Sequence, residues 1–444
     1  MGLALVVIFH RKARSHGEQV RAEIEKRLEV LRGKGEPVTL GELAKRYPDP
    51  PPEKDAGRLL KATLEAMRAS DPETNANFFL SDKRFRARTE PLPDNLLGAM
   101  RVWLELRQAT LAAIPWDELQ GSWIGTGFRE GSDDINTIPS GISELAGVLC
   151  VGAVLETEAG SHSNAVYLVK QALEVGDPLK NSVPLHCFVR TATRYYVCQA
   201  LERIINRTSL PETSLKELQL SLPSEDLAAV REFMINERCF GFFTAQSLQA
   251  QTLQRTSGTR SPATRLLKAY QARLWYHDED LLDFLKWSDQ VMAALNTPAS
   301  NAIPLLKAME HERNEPKRLR VSLFDAFRSR RVSLMRLHEP NVSEFLGALK
   351  GFSRTRAAIV AIALERWRLA HAGQLPASLF ELVPDYLPAV PADPYDDQPL
   401  RYRKLPRGYV VYSIGPDFTD DGGKEQSAER KEGEPYDITF TVER

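Results

Sequence analysis

The chain has 444 residues, 43% hydrophobic and 26% charged, a balance typical of a globular protein with a sizeable core and, at this length, of two or three domains. Its 58 Lys and Arg against 59 Asp and Glu leave a formal net charge of -1, so the whole molecule has no field to attract nucleic acid or an anionic membrane. Four cysteines are too few to staple a chain this long, and without a CxxC pair the sequence favours neither a structural zinc site nor a redox pair.

The N-terminal segment, residues 1–16, combines an apolar run at 2–9 (GLALVVIF) with a basic cluster at 10–14 (HRKAR). Eight apolar residues cannot span a bilayer, and the run lacks the basic flank and cleavage site of a signal peptide. We expect it to be the end of a membrane anchor whose start lies upstream of Met1, because an apolar run closed by a basic cluster is typical of a helix leaving a membrane. A short buried segment is the alternative.

Residues 17–95 are predicted to hold an amphipathic helix and a proline-rich linker. The helix covers 17–33, where apolar residues recur at spacings of four, four and three, and the glycines at 33 and 35 favour a stop. The linker begins in the proline-rich stretch 47–54. A short helix is expected at 58–69, and extended or loop structure at 70–95. The apolar stripe of the first helix consists of Val20, Ile24, Leu28 and Leu31.

Residues 96–352 are predicted to form a helical body, because short breaks with Gly, Pro, Asn or Ser separate its apolar-periodic segments. The body is either an irregular helical domain or a set of TPR-like helix pairs, and the sequence has no fixed repeat period. The apolar run 142–155 contains Glu144 and is too short to span a membrane, so we expect a buried helix. The predicted helices are 96–113, 140–158, 162–175, 184–206, 224–246, 263–273, 279–295, 301–311 and 342–350.

The helical body lacks the local motifs of common enzymes: GxSxG, HExxH, a P-loop and GxGxxG opening a helix. The polar clusters 277–280 (HDED) and 311–312 (HE) are interpreted as exposed residues at helix ends rather than as a metal site. Glu237 and Arg238 are interpreted as a buried pair. The four cysteines, all in apolar helical contexts, are expected to be buried small hydrophobes: Cys150, Cys187, Cys198 and Cys239.

The C-terminal module, residues 353–444, has a different pattern. A helix is predicted at 354–372, with Gly373 just past its end, and four prolines between 384 and 394 then exclude regular structure. Strands are predicted at 400–405 and 409–414 as a hairpin around 406–408 (PRG), with a third at 438–442. The stripe of the helix is Val360, Ala363, Leu364 and Trp367.

The order of motifs in this module resembles the globular head of the type II secretion system major pseudopilin. An Ala-rich helix leads into ERWRLAHAGQLPASLFELVPDYLPAVPADPYDDQPLRY, then GYVVYSIGPDFTDDGG, then EGEPYDI. The resemblance implies a helix followed by a small antiparallel sheet. The matching positions are Gly373, Pro376, Leu382, Leu387, Pro388, Asp393, Pro394, Tyr412, Ser413, Gly415, Asp417, Gly422, Gly423, Asp437 and Ile438.

The resemblance also implies a possible calcium site in the final acidic loop, because the family binds calcium there and Ca²⁺ prefers hard oxygen ligands. Asp417 and Asp437 carry over as side-chain ligands by position, and Asp420 and Asp421 are further candidates. Phe418 stands where the family has glycine, and the residue at 435 is proline in place of the first closing acid. A metal-free acidic hairpin loop is therefore the alternative.

Together these features predict an α+β protein: a mostly α-helical body, irregular or TPR-like, with a small C-terminal pseudopilin-like module of a helix plus an antiparallel sheet. The expected function is that of a non-enzymatic bacterial cell-envelope protein, membrane-anchored through its N-terminus, with protein partners and no nucleic acid. We expect the body to be extracytoplasmic. A cytoplasmic body is the alternative, because basic residues after an anchor favour the cytoplasm for the chain that follows. The chain lacks the prepilin cleavage motif of pseudopilins. A soluble hydrolase with its site in the helical body is the alternative function.

Overall fold

The computed structural model describes residues 2–70, 76–80, 88–124, 137–179, 187–222, 227–257, 276–314, 342–426 and 435–444. The chain is mostly helical, with a small three-stranded antiparallel sheet near the C-terminus, which is the α+β class expected from the sequence. Its described residues divide into two compact units. One comprises Met1–Tyr47, Arg231–Thr297 and Asn301–Val342, and the other comprises Pro48–Val230, Pro298–Ser300 and Ser343–Arg444.

The helices, numbered in chain order over the described residues, are α1 (Gly2–Gly33), α2 (Leu40–Arg46), α3 (Ala56–Ser70), α4 (Ala76–Leu80), α5 (Asp94–Glu105), α6 (Gln108–Ala112), α7 (Trp116–Leu119), α8 (Thr137–Glu158), α9 (His162–Glu174), α10 (Cys187–Arg207), α11 (Glu212–Ser221), α12 (Leu227–Ser257), α13 (Tyr276–Leu295), α14 (Ala299–Asn314) and α15 (Val342–Ala370). Short 3-10 turns lie at Pro52–Lys54, Asp177–Leu179, Leu379–Leu382 and Gly415–Asp417.

In the first unit, the predicted stripe of α1 forms the core. Val20, Ile24, Leu28 and Leu31 are all buried and belong to one cluster with Phe242 of α12 and with apolar residues of α13. The helix itself is longer than predicted, because it runs without interruption from Gly2 through the basic cluster to Gly33. The apolar residues 2–9 and the amphipathic segment are therefore parts of one helix.

In the second unit, α8 lies at the centre of the core, packed against α9 and α10. The predicted buried helix is confirmed, because Ile142, Leu145 and Leu149 are at most 2% exposed. Within the described residues, Ile138–Glu158 is the single helix long and apolar enough to cross a membrane by length and composition, and 78% of its most apolar window is buried inside the protein. Burial of that kind is equally typical of the core helix of a soluble protein.

The three predicted strands are present. They are β1 (Arg401–Lys404), β2 (Tyr409–Ser413) and β3 (Ile438–Val442), antiparallel in the order β1-β2-β3. The hairpin pairs Lys404 with Tyr409 around Gly408, whose φ of +80° suits glycine. A Cβ at Gly408 would lie 1.9 Å from the carbonyl oxygen of Val442. The end of β3 can therefore pack against this turn only because Gly408 has no side chain.

The helix leading into the sheet differs from the prediction. The segments 342–350 and 354–372 are one helix, α15, which passes unbroken through residues 352 and 353. The helix continues through Gly351, which allows close packing against α10. A Cβ at Gly351 would lie 2.1 Å from Cγ2 of Thr191 in that helix. Of the predicted stripe, Val360, Ala363 and Leu364 are fully buried in the same core as α8 and α10. Its fourth member, Trp367, is partly buried against that core.

The free edge of β3 is covered by side chains of α10. The backbone N–H of Thr441 donates to Glu202 Oε1 at 2.7 Å, and Asn206 Nδ2 donates to the carbonyl of Thr441 at 2.8 Å. The backbone N–H of Glu443 donates to Asn206 Oδ1 at 2.7 Å. These contacts replace the hydrogen bonds that a fourth strand would make. The sheet is therefore joined to the helices of the second unit at its edge as well as through its buried face.

Three further predicted elements need correction or fall outside the described residues. The helix expected at 96–113 is two helices, α5 and α6, and Arg107 at the break is buried with its Nη1 donating to the carbonyl of Trp103 at 2.9 Å. Part of the stretch 70–95 is helical as α4 rather than extended. The predicted helix 263–273 lies outside the described residues.

Candidate functional site

The acidic loop, defined here as residues 415–426, leaves the end of β2 through a 3-10 turn at Gly415–Asp417. Phe418 follows in the left-handed region, with φ +60° and ψ +23°. A side chain in this conformation costs roughly 1–2 kcal/mol. The ring of Phe418 packs edge-on against Tyr395, with 6.1 Å between ring centroids, and this contact offsets part of the cost.

Asp393 fixes the start of the loop to the proline-rich turn before β1. Its carboxylate is fully buried and accepts hydrogen bonds from the backbone N–H of Tyr395 and Ile414, at 3.0 and 2.9 Å, and from the hydroxyl of Ser413 at 2.7 Å. Burial raises the pKa of Asp393, and these three hydrogen bonds oppose the rise. One aspartate thus holds together two segments that are twenty residues apart.

Asp437 plays the same part at the other end of the loop. It is 2% exposed, and its Oδ2 accepts from the backbone N–H of Gly423 at 2.6 Å. Its Oδ1 lies 3.5 Å from the backbone nitrogen of Asp421, a longer and weaker contact. Burial raises the pKa of Asp437, whereas the hydrogen bonds from Gly423 and Asp421 lower it. The residue expected as a calcium ligand therefore already binds the backbone of the loop.

The other three predicted ligands point to separate partners. Asp417 is exposed and accepts from the backbone N–H of Thr419 at 3.1 Å. Asp420 accepts from the backbone N–H of Gly422 at 2.9 Å. Asp421 keeps one carboxylate oxygen, Oδ2, buried and without a hydrogen-bond partner among the described residues. These are the local turn contacts that aspartate commonly makes with its own backbone.

The fit of these residues to a calcium ion follows from the same contacts. Ca²⁺ needs six to eight oxygens converging on one point, and within the described residues no group of three or more His, Cys, Asp or Glu side chains is placed to hold a metal ion. The orphaned Asp421 Oδ2 is a free acceptor, but Asp437 beside it is engaged by backbone amides. The described arrangement organises the loop through hydrogen bonds, and calcium binding stays a prediction.

Arg401 of β1 is the residue of this site that sequence reasoning missed. Its guanidinium donates to Asp393 Oδ2 at 2.9 Å and to Asp396 Oδ2 at 2.5 Å, and it lies 3.6 Å from Asp420 Oδ2. These partners raise the pKa of Arg401, most strongly through the hydrogen bond that Arg401 donates to Asp396. The signal in the sequence was the single arginine next to the acidic run DPYDDQPLR.

The structure describes only some of the residues that the sequence analysis interpreted as non-catalytic. His311 is exposed, while the side chains of His277, Asp280 and Glu312 lie outside the described residues. Arg238 is buried and pairs with Glu36 at 2.9 Å, a partner that the sequence could not indicate, and its neighbour Glu237 is buried as well.

Three of the four cysteines are free and buried, as predicted: Cys150, Cys198 and Cys239. Burial raises the pKa of Cys198 to about 11 and that of Cys239 to about 12, so these thiols are protonated at neutral pH and poorly reactive. The side chain of Cys187 lies outside the described residues.

Compared with protein-family models, with curated proteins and with solved structures, the chain has no significant match.

Proposed function

We propose that this protein is a non-enzymatic component of a bacterial cell envelope, in which the helical body carries the pseudopilin-like module as a fixed platform for a protein partner. The observation that carries the proposal is the order of elements in the module. A long helix, a proline-rich turn, a hairpin, an acidic loop and a third strand follow one another in the order that the resemblance implies. A function in protein assembly is what the resemblance implies for such a module.

The platform would differ from a tethered pilin head in how it meets its partner. The edge of β3 is occupied by Glu202 and Asn206 of α10, so a partner cannot add a strand there. The inner face of the sheet, including Val411 and Phe440, is buried in the helical core. The edge of β3 and the inner face of the sheet are thus closed to a partner, and we infer that a partner binds the outer surface of the module.

The outer surface offers one rigid apolar anchor. Phe380 is 66% exposed, and the 3-10 turn that carries it is capped by reciprocal hydrogen bonds between Ser378 and Glu381. The cap holds the ring in solvent without support from the core, and exposed aromatic side chains are enriched at the centres of protein interfaces. Leu369, near the end of α15, is the other large apolar side chain in this module with substantial exposure, at 46%.

The experiment that tests the proposal is a pull-down from membranes of the source organism with the full chain as bait. We expect secretion or pilus components to be recovered with the wild type and to be reduced at least tenfold with Phe380→Ala. Leu220→Ala is the matched control, because Leu220 is 77% exposed on α11, outside the module. The proposal fails if no such component is recovered with the wild type, or if both variants recover it equally.

Membrane association through the N-terminus is the second part of the proposal. Residues 2–9 form the apolar end of α1, and the helix continues directly into its basic and amphipathic parts, which suits a helix that enters a membrane at one end. We expect the full chain to float with liposomes of neutral phospholipid and a variant with Val6→Asp and Ile8→Asp to stay at the bottom of the gradient. Equal flotation of both would contradict the membrane role.

The alternative, an enzyme with its site in the helical body, stays a prediction. Carboxylates with a raised pKa are candidates for acid–base chemistry, but Glu144, Asp393 and Asp437 each accept hydrogen bonds from backbone amides. Asp393 and Asp437 anchor the two ends of the acidic loop, and Glu144 of α8 binds the start of α4. This distribution supports a structural role for each.

A further inference from the structure

The first unit contains an open cleft of about 460 Å³ among α1, α12 and α13. This volume lies within the range of small-molecule sites, about 300–1,000 Å³. Its apolar wall includes Val30, which is 53% exposed, together with Met292 and Ala293. Neither the acidic loop nor the apolar anchor of the module belongs to this part of the chain, so the cleft is independent of the proposed function.

Basic side chains outnumber acidic ones in the lining by two. Arg27 contributes no net positive charge, because it pairs with two carboxylates, Glu23 at 3.1 Å and Asp289 at 2.5 Å. The excess of positive charge therefore comes from the other cations. A cleft with apolar walls and uncompensated positive charge attracts anions more strongly than an open surface does.

Two lysines supply one part of this excess. Lys26 and Lys34 both line the cleft, with Val30 midway between them. Lys34 directly follows the end of α1, and its backbone N–H still donates to the carbonyl of Val30 at 3.2 Å, so it continues the row of Lys26 and Val30. Neither lysine has an ion pair within the described residues, and both are exposed. Their ammonium groups can therefore swing toward a ligand at little cost.

Two arginines of α12 in the lining of the cleft supply the other part. Arg231 and Arg238 share the single carboxylate of Glu36, at 3.1 and 2.9 Å. Arg238 is 1% exposed, and its Nε and Nη1 have no hydrogen-bond partner among the described residues. Buried guanidinium donors are normally satisfied, and a guanidinium with free donors is suited to carboxylate or phosphate oxygens.

We propose that this cleft is a binding site for a small organic anion, one that joins a phosphate or carboxylate group to a short apolar part. The anionic group binds between Lys26, Lys34 and the arginine pair, and the apolar part packs against Val30 and Ala293. Both features are needed, because an inorganic anion leaves the apolar wall in water and a neutral ligand leaves the positive charge uncompensated.

Phenyl phosphate is a suitable probe, titrated into the full chain at low ionic strength and followed by calorimetry. We expect one site per chain, with inorganic phosphate and phenol each binding at least tenfold more weakly. The double variant Lys26→Gln with Lys34→Gln should weaken phenyl phosphate about tenfold, and salt should weaken the wild type in the same direction. Both lysines are exposed, so the variant is expected to fold.

Lys286→Gln is the matched control, because Lys286 is an exposed lysine of α13 that does not line the cleft. Its affinity for phenyl phosphate should equal that of the wild type. The proposal is overturned if phenyl phosphate does not bind, if phenol binds as tightly, or if the double variant and Lys286→Gln behave alike.

Discussion

At the scale of single residues, buried carboxylates in the second unit serve the backbone. Asp393, Asp437 and Glu144 each accept from main-chain amides, and for each of them burial is the largest influence on the pKa and raises it. A buried backbone N–H without an acceptor costs about 1–3 kcal/mol. Each of these carboxylates therefore stabilises the fold by accepting such a hydrogen bond.

Glu144 allows a test of this cost through pH. Its folded-state pKa is raised above the ordinary value of 4.5, so its contribution to stability is largest below that value and is lost as the pH rises through the folded pKa. Glu144→Gln keeps an oxygen for the N–H of Ala76, which donates to Glu144 at 2.7 Å. We expect the variant to be more stable than the wild type at pH 7, with the difference shrinking toward pH 4.

The measurement is the free energy of unfolding of both proteins in urea between pH 4 and pH 7. A wild type that gains stability over Glu144→Gln as the pH rises would show that the neighbouring charge of Arg107 outweighs burial. Asp94→Asn, at an exposed helix start, serves as the control.

Asp437 gives a second residue-scale prediction, which concerns calcium. Since its two oxygens already face the backbone nitrogens of Gly423 and Asp421, we expect 1 mM calcium to leave the melting temperature unchanged relative to EGTA. Asp437→Asn should lower stability by about 1–2 kcal/mol in either buffer, because one amide loses its acceptor. A calcium-dependent rise that disappears in Asp437→Asn would instead establish the metal site that the resemblance implies.

At the scale of elements, sequence periodicity was sufficient to predict a helix or strand wherever its contacts are local or a single face of it is buried. The stripe of α1 at Val20, Ile24 and Leu28 follows from 3.6-residue spacing. The hairpin follows from two β-rich segments around Gly408. The break between the helices predicted at 342–350 and 354–372 is absent. Gly351 lies in this stretch and packs closely against Thr191, a contact that no local pattern indicates because Thr191 is far away in sequence.

The capping of β3 by α10 could not be predicted for the same reason. Asn206 and Thr441 are 235 residues apart, and nothing local to either residue indicates the pairing. The candidate site likewise contains residues that a local motif indicates and one residue whose role depends on tertiary contacts. The aspartates of the acidic loop follow from their motif. Arg401, which joins Asp420 of that loop to Asp393 and Asp396 of the proline-rich turn, acts through tertiary geometry.

Asn206→Ala tests the strength of this cap. Loss of the hydrogen bonds to Thr441 and Glu443 leaves two buried or half-buried backbone groups of β3 without partners, so we expect a loss of roughly 2–4 kcal/mol in the free energy of unfolding. Asn164→Ala is the control, because Asn164 makes an exposed bond to Glu156, and a loss below about 0.5 kcal/mol is expected there. Equal effects of the two variants in urea unfolding would contradict the cap.

At the scale of the whole molecule, the two compact units combine distant parts of the chain. The second unit places the C-terminal sheet, α15 and the helices α8 to α10 around one core. Arg354 of α15 also binds Glu202 at 3.0 Å, the carboxylate that caps β3. The C-terminal module is thus part of a larger folding unit, which makes it a rigid surface rather than a mobile head.

Native-state hydrogen exchange of the full chain in increasing urea tests this integration most directly, since it gives the opening free energy of each backbone amide. We predict that the amides of Val411 in β2 and Phe440 in β3 converge with those of Leu201 and Ile204 in α10 on a common unfolding free energy, within about 1 kcal/mol. Exchange of the β2 and β3 amides through an opening several kcal/mol lower, with α10 still protected, would contradict the integrated core.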